Sequence, residues 1–154
     1  MPGSLQEFLV QATQKTAADL EAALLRVPDD KRGWSPMDKA RTALDMAAEC
    51  AILNGSTADM IASRAWTMGD DFSAYEKARA ELATNGDAVL SLLKENTARV
   101  VEAIRTTPDA DLGVEINMPW GPMTLAQIIA YPYWNMSYHE GQINYVASML
   151  GCLD

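Results

Sequence analysis

Apolar residues recur every three or four positions over four long stretches of the chain, the spacing of one face of an α-helix. The first stretch opens at Ser4, and Glu7 three residues later completes the sequence pattern of a capping box. It ends before Val27-Pro28, because a residue that precedes proline is pushed away from helical backbone angles. The pattern therefore predicts a first helix from Ser4 to about residue 26.

The second stretch follows a short polar link. Ser35 can cap a helix whose first position is Pro36, where the missing N–H of proline costs nothing. The apolar pattern then continues to about Trp66. Gly55 falls in the middle of this second helix and marks a place for a bend or break.

The third stretch runs from near Ser73 to about Thr106, with Gly86 as its weak point. It opens on another capping-box pattern, since an acidic residue stands three positions after Ser73. Pro108 follows directly and indicates the end of the helix.

Residues 107–123 have a different character, because glycine and proline surround short apolar pieces. We expect an ordered connection with a short extended segment and with Trp120 at its tip. Connections of this length are often functional, so Trp120 is expected to border a site. A last helix is predicted from Thr124 to Leu150, with Pro132 as a kink.

Four helices joined by two short links and one long link predict an all-α fold. The expected architecture is a four-helix bundle with one long crossover connection between the third and fourth helices. The length of 154 residues and an apolar content of 49% fit a single bundle domain over residues 1–154.

The charge balance restricts the partners. Twelve Lys and Arg against 21 Asp and Glu give a net charge of -9, which argues against nucleic acid and against anionic membrane surfaces. The first residues lack the pattern of a secretory signal, so a cytoplasmic location is expected. In that compartment Cys50 and Cys152 are expected to be free thiols.

The single histidine is the first candidate for chemistry. His139 falls on the apolar stripe of the last helix, and Asn135 lies one turn before it on the same face. Two interpretations remain open: a hydrogen-bonded core histidine, or a metal ligand with Asn135 at ligand spacing.

A metal site in a bundle needs a ligand from a facing helix, and the acidic residues of the second helix are Asp38, Asp45 and Glu49. Asp45 and Glu49 are one turn apart and could point inward. Alternatively, Arg41, Asp45 and Glu49 at spacings of four form a solvated stripe of ion pairs. The apolar pattern of this helix allows two rotations and does not decide between them.

Other chemistries find little support, because the chain has no phosphate-binding loop, dinucleotide-binding glycine pattern, C-x-x-C motif or E-x-x-H pair. An aromatic cluster on the last helix remains to be explained, either as core plus a partner surface or as the wall of a pocket. Its members are Tyr131, Tyr133, Trp134 and Tyr138.

Three motifs occur in a familiar order: W-S-P at 34–36, P-W-G-P-M-T at 119–124 and H-E-G-Q-I at 139–143. With these motifs the chain resembles the DinB-like superfamily of bacterial four-helix bundles, which includes metalloenzymes and thiol-dependent transferases. The resemblance implies a divalent metal, often nickel or zinc, bound by one histidine of the second helix and an H-x-x-x-H pair of the last.

Carried over to this chain, the metal ligands are Asp45, Asn135 and His139. Only His139 keeps the imidazole, so this set should bind nickel or zinc weakly. With an added oxygen from Glu49, manganese would fit better.

The leading expectation is a DinB-like bundle that keeps the pocket of the family and binds a small molecule with little or no metal chemistry. The pocket residues expected are Trp120, Tyr138 and Gln142. The alternative is a divalent-metal-dependent enzyme of the thiol transferase or hydrolase type, with Glu49 as the catalytic general base. Because relatives are often dimers, a homodimer through Tyr133 and Trp134 is also expected.

Overall fold

The computed structural model describes residues 4–154 and contains five α-helices and one two-stranded sheet. Two single turns of 3-10 helix, at Asp29–Lys31 and Asp109–Asp111, lie in the connections. The elements are α1 (Leu5–Arg26), α2 (Ala43–Ser63), α3 (Ser73–Leu82), α4 (Gly86–Arg105), β1 (Glu115–Met118), β2 (Gly121–Thr124) and α5 (Leu125–Met149).

Helices α1, α2, α4 and α5 form a four-helix bundle, which confirms the predicted all-α architecture. Each of α1 and α2 packs against both α4 and α5, so α1 lies diagonally opposite α2, and α4 lies diagonally opposite α5. The long connection 106–124 therefore crosses the bundle from α4 to α5, as expected. The connection 27–42 between α1 and α2 crosses it too.

Helices α2 and α4 are parallel neighbours, since Asn54 contacts Thr97 and Asp59 contacts Arg99 further along both helices. The chain must return along the bundle between them, and α3 lies in that return and packs on α2. The single helix predicted from Ser73 to Thr106 is therefore wrong. It divides just before Gly86, where the side chain of Asn85 caps α4 by accepting from the N–H of Ala88 at 3.1 Å.

The second helix begins at Ala43, seven residues later than predicted. Thr42, not Ser35, provides its cap by accepting a hydrogen bond from the N–H of Asp45 at 3.0 Å. The Ser35 hydroxyl instead donates to the carbonyls of Met37 and Ala40 and stabilises a turn. The helix is continuous through Gly55, so there is no break at that position.

The ends of α1 and α5 agree with the sequence prediction. Ser4 caps α1 by accepting from the N–H of Glu7 at 3.1 Å, and Thr124 caps α5 in a capping box with Gln127. The extended segment expected before α5 is the antiparallel hairpin of β1 and β2.

The core consists of two apolar clusters along the bundle axis. One is centred on Leu20, Ala47 and Ile143, and the other on Leu9, Ile104 and Ile129. Buried polar side chains occupy the helix positions between the two clusters: Thr13, Thr16, Asn54, Thr57, Asn96 and Thr97.

Both cysteines are free thiols, as expected. Within residues 4–154, every helix is too short or too polar to cross a lipid bilayer.

Candidate functional site

His139 is buried in the bundle and bonded on both ring nitrogens. Its Nε2 lies 2.9 Å from Oε1 of Glu49 on α2, and its Nδ1 lies 2.7 Å from Oε1 of Gln142, less than one turn along α5. An ionised carboxylate can accept hydrogen bonds but cannot donate them, so the imidazole carries a proton on Nε2 and donates it to Glu49. In this arrangement the Nε2 lone pair is not available to a metal ion.

Two arginines neutralise the carboxylates on this side of the bundle. Arg41 Nη1 lies 2.6 Å from Glu49 Oε2, and Arg41 Nε donates to Asp45 Oδ2 at 2.5 Å. Arg79 of α3 adds Nε at 2.9 Å from Asp45 Oδ1, an ion-pair contact without hydrogen-bond alignment, and Nη1 at 3.8 Å from Glu49 Oε2. We call Arg41, Asp45, Glu49, Arg79 and His139 the charged centre.

The charged centre keeps Glu49 ionised. Burial is the largest influence and opposes ionisation, but it is outweighed by the hydrogen bond and charge of His139 together with the charge and hydrogen bond of Arg41. These lower the pKa of Glu49 to about 2, from an ordinary value of 4.5. Its side chain is only 13% exposed, so these partners act with little screening by solvent.

The structure brings only part of the expected metal set together. Glu49 contacts His139, whereas no hydrogen bond or ion pair within residues 4–154 joins Asp45 to His139. The amide of Asn135 donates to the thiol of Cys50 at 3.8 Å. Asp38 is exposed in the turn before α2 and belongs to neither group.

The residues present do not fit the metal that the family resemblance implies. Across the described residues there is no group of three or more His, Cys, Asp or Glu side chains placed to hold an ion. Arg41, Asp45 and Glu49 do form the ion pairs of the predicted stripe, but their side chains are partly buried, and Arg79 and His139 join them. The sequence did not point to Arg79, because periodicity within one helix does not show that α3 packs against α2.

Cys50 lies beside the charged centre but is poorly suited to nucleophilic chemistry. Burial, reinforced by the negative charge of Glu49, raises the pKa of its thiol far above the ordinary value. The thiol is therefore protonated and behaves as a small apolar side chain.

An apolar cavity of about 390 Å³ adjoins the charged centre, between α2, α3, the hairpin and the start of α5. Tyr75 connects the two, because it lines the cavity while its hydroxyl lies 3.5 Å from Arg79 Nη1. The lining residues are Leu53, Thr57, Met60, Trp66, Met68, Phe72, Tyr75, Met118, Trp120, Met123, Ile128 and Tyr131.

The expected pocket residues lie in two different hollows. Trp120 lines the cavity, as its place at the tip of the connection suggested. Tyr138 and Gln142 line an open groove of about 900 Å³ on the other side of the charged centre, together with Arg41 and Tyr145.

The aromatic cluster of α5 divides in the same way. Tyr131 is part of the cavity wall, and burial followed by the charge of Glu49 raises the pKa of its hydroxyl. Tyr133 packs edge-on against Phe8, with ring centres 6.3 Å apart. Trp134 is exposed and stacks on Tyr138 at 5.7 Å. Tyr131 therefore lines the cavity, whereas Tyr133, Trp134 and Tyr138 are exposed at the surface.

Comparison with solved structures gives the same bundle. YfiT from Bacillus subtilis, described as a probable metal-dependent hydrolase with an unusual four-helix bundle topology, superimposes with a TM-score of 0.80 over 95% of this chain and 87% of its own, at 16% identity. A mycothiol-dependent maleylpyruvate isomerase gives TM-scores of 0.71, and 0.76 for a single-site variant, both at 16% identity over 90% of this chain. This chain corresponds to 60% of the isomerase.

At this identity the structural likeness establishes the fold. No curated protein matches the chain in sequence. The family model of the DinB superfamily matches residues 12–143, which is most of the chain and includes α2, α3 and α4 in full and most of α1 and α5. The chain therefore belongs to the DinB superfamily.

Proposed function

We propose that this chain is a small-molecule-binding member of the DinB superfamily that uses its apolar cavity and holds no resident metal. The observation that carries the proposal is the cavity itself. Its volume of about 390 Å³ falls in the range of sites that enclose small ligands, and its wall is mostly aromatic, methionine and aliphatic side chains.

The charged centre has a positioning role in this proposal. Arg79 ties α3 to Asp45 and Glu49 of α2, and Tyr75, one turn before Arg79, lines the cavity. The ion pairs therefore hold α3 against α2, beside the cavity. They also use the carboxylates that a metal ion would need.

Ligand binding is tested with naphthalene as an apolar probe, by isothermal titration calorimetry. Met68 lines the cavity, and Met68→Trp should fill part of it and weaken binding by about tenfold or more, since added volume is not accommodated in a packed wall. The matched control is Met37→Trp, because Met37 is 76% exposed in the open groove. Absence of binding to the unaltered protein, or equal losses in the two variants, would contradict the proposal.

The metal part is tested by elemental analysis of untagged protein, with nickel, zinc, manganese and iron offered in turn. We expect no stoichiometric metal in either the unaltered protein or His139→Ala.

A second candidate is a divalent-metal-dependent enzyme of the hydrolase or thiol transferase type. It is favoured by the contact of Glu49 with His139 and by the likeness to YfiT, which is itself described as a probable metal-dependent hydrolase. Stoichiometric metal that is lost in His139→Ala would support this candidate in place of the first. The binding of Asp45 and Glu49 by arginines counts against it.

A further inference from the structure

Thr57 is the most informative residue of the cavity wall. It lies in the middle of α2, is only 1% exposed, and lines the cavity. Within residues 4–154 its hydroxyl has no hydrogen-bond partner. A buried polar group without a partner costs free energy, so such a group beside a cavity indicates where a ligand atom would bind.

Most other polar atoms of the wall are already engaged. The indole N–H of Trp66 donates to the carbonyl of Gly69 at 2.6 Å, and that of Trp120 contacts the sulfur of Met123 at 3.4 Å. The hydroxyl of Tyr75 contacts Arg79. Thr57 and Tyr131 are therefore the side chains that can offer a hydroxyl to a ligand.

The wall selects against charged ligands. None of its twelve lining residues carries a formal charge. The adjoining Arg79 is already paired with Asp45 and Glu49. Placing a charge in such surroundings is costly without a partner, so the ligand should be neutral.

The wall also indicates the shape of the ligand. Trp66 packs against Trp120 at 5.3 Å and against Phe72 at 6.0 Å, which presents ring faces and edges to the cavity. Methionines supply adaptable contacts around them. Because a cavity of about 150 Å³ accommodates benzene, one of about 390 Å³ suits a molecule of two fused rings.

We propose that the cavity binds a neutral, mostly apolar molecule of the size of two fused rings, whose single hydroxyl or carbonyl oxygen forms a hydrogen bond with the hydroxyl of Thr57. This inference rests on the proposed function and specifies its ligand class. Binding to the cavity can hold without the hydrogen bond, so the two are tested separately.

The test compares the affinities of naphthalene and of 1-naphthol and 2-naphthol, measured by calorimetry, in the unaltered protein and in Thr57→Val. Valine keeps the shape of threonine and removes only the unpaired hydroxyl, so the variant should fold. The ratio of naphthol to naphthalene affinity, taken for the better isomer, should fall by about threefold to tenfold in Thr57→Val, the value of one neutral hydrogen bond. Using a ratio cancels any general change in the cavity.

Thr13→Val is the matched control. Thr13 is a second buried threonine whose hydroxyl lacks a partner within the described residues, but it does not line the cavity. It should leave the ratio unchanged, and 1-naphthoate, which is negatively charged, should bind more weakly than either naphthol.

Three results would overturn the inference. If naphthalene binds and the affinity ratio is unchanged in Thr57→Val, the ligand forms no hydrogen bond with Thr57, and the proposed function still stands. If the affinity ratio falls in Tyr131→Phe but not in Thr57→Val, the ligand forms its hydrogen bond with Tyr131 and not with Thr57. Failure of naphthalene and both naphthols to bind overturns the inference and the proposed function together.

Discussion

At the scale of single residues, Glu49 joins the two halves of the charged centre, with His139 on one carboxylate oxygen and Arg41 on the other. Its lowered pKa links this geometry to stability. The folded pKa of about 2 lies below the ordinary 4.5, so ionisation of Glu49 stabilises the folded state. This contribution is complete above about pH 4.5 and is lost as the pH falls towards 2.

We therefore expect Glu49→Gln to change the acid dependence of stability. The variant should be less stable at neutral pH, because Arg41 loses a largely buried partner. Between about pH 5 and pH 2.5 it should lose less of its unfolding free energy than the unaltered protein, by about 2 kcal/mol at roughly 1.4 kcal/mol per pKa unit, because part of the contribution of Glu49 remains at pH 2.5. Urea unfolding at both pH values measures the difference. Glu21→Gln, at an exposed site, should leave the pH dependence unchanged, and the same slope in all three proteins would contradict the expectation.

The choice between Asp45 and Glu49 shows how far sequence reasoning reaches at this scale. The inward orientation of His139 follows from its place on the apolar stripe of α5, and it is observed. Small apolar residues on several faces of α2 leave its rotation undetermined, so the facing carboxylate could not be chosen. The role of Thr57 could not be predicted from the sequence either, because it depends on an unpaired hydroxyl beside a cavity, which only the structure shows.

At the scale of elements, α2 and α4 approach closely at Gly55. A Cβ atom built at Gly55 would lie 2.6 Å from Nδ2 of Asn96, which donates to the carbonyl of Ala51 at 2.8 Å. The absence of a side chain at Gly55 therefore allows the two helices to come into contact. The sequence identifies Gly55 as unusual in a helix, but only the packing against Asn96 explains why a glycine is needed there.

Alanine substitutions at two helical glycines should therefore have opposite signs. Gly55→Ala displaces Asn96 and should lower the free energy of unfolding by about 1 to 3 kcal/mol, the usual cost of overpacking. Gly141→Ala in α5 meets no atom within 4 Å and should raise it by about 0.5 to 1 kcal/mol through helix propensity. Chemical unfolding measures both, and a stabilising Gly55→Ala would show that the helices can separate without penalty.

Helix α5 retains the spacing of the ligand pair that the family resemblance implies, because Asn135 and His139 are one turn apart and both buried. The missing component is a second imidazole. Asn135→His would place two histidines and Glu49 together, a set that binds zinc in catalytic sites. We expect this variant to bind zinc at least about tenfold more tightly than the unaltered protein, because imidazole is a far better ligand than an amide.

Competition with a chromophoric zinc chelator measures this gain. Asn135→Ala should show none, and adding His139→Ala to Asn135→His should abolish it. A gain that survives the loss of His139 would place the zinc elsewhere and contradict the geometry.

The limits of sequence reasoning about the elements have physical causes. The caps Ser4 and Thr124 correctly located the starts of α1 and α5, and Pro28 the end of α1, because those signals act within one turn. Ser35-Pro36 has the same local pattern, but the Ser35 hydroxyl bonds to carbonyls of a turn, and α2 begins at Thr42. Asn85, which caps α4, lies inside an apolar pattern that predicts one continuous helix with Gly86 as its weak point.

At the scale of the whole molecule, the diagonal connections place the site. Because 106–124 crosses the bundle, its hairpin passes over the starting end of α5 and brings Trp120 to the cavity. The return from α2 to α4 brings Trp66, Phe72 and Tyr75 to the same cavity. Periodicity predicts the four helices of the bundle but not the separate α3, and the cavity depends on which neighbours the connections allow.

The exposed rings of α5 are the remaining feature at this scale. Trp134 is 59% exposed and stacks on Tyr138, which lines the open groove with Tyr145 and Met37. Exposed apolar patches of this kind mark interaction sites, and a self-complementary patch favours a symmetric dimer. We therefore retain the homodimer as an expectation, with Trp134 and Tyr138 near its centre and with Tyr133 partly covered by Phe8.

Light scattering coupled to size exclusion at micromolar concentration should give a dimer mass, and Trp134→Glu should give a monomer mass. Val114→Glu is the control, because Val114 is an exposed apolar residue next to the first turn of α5, far from the patch. Two copies with a net charge of -9 each repel one another, so added salt should tighten the dimer by screening that repulsion while leaving the apolar contact intact. A monomer mass for the unaltered protein, at low and at high salt, would show that the rings of α5 serve no interface between copies.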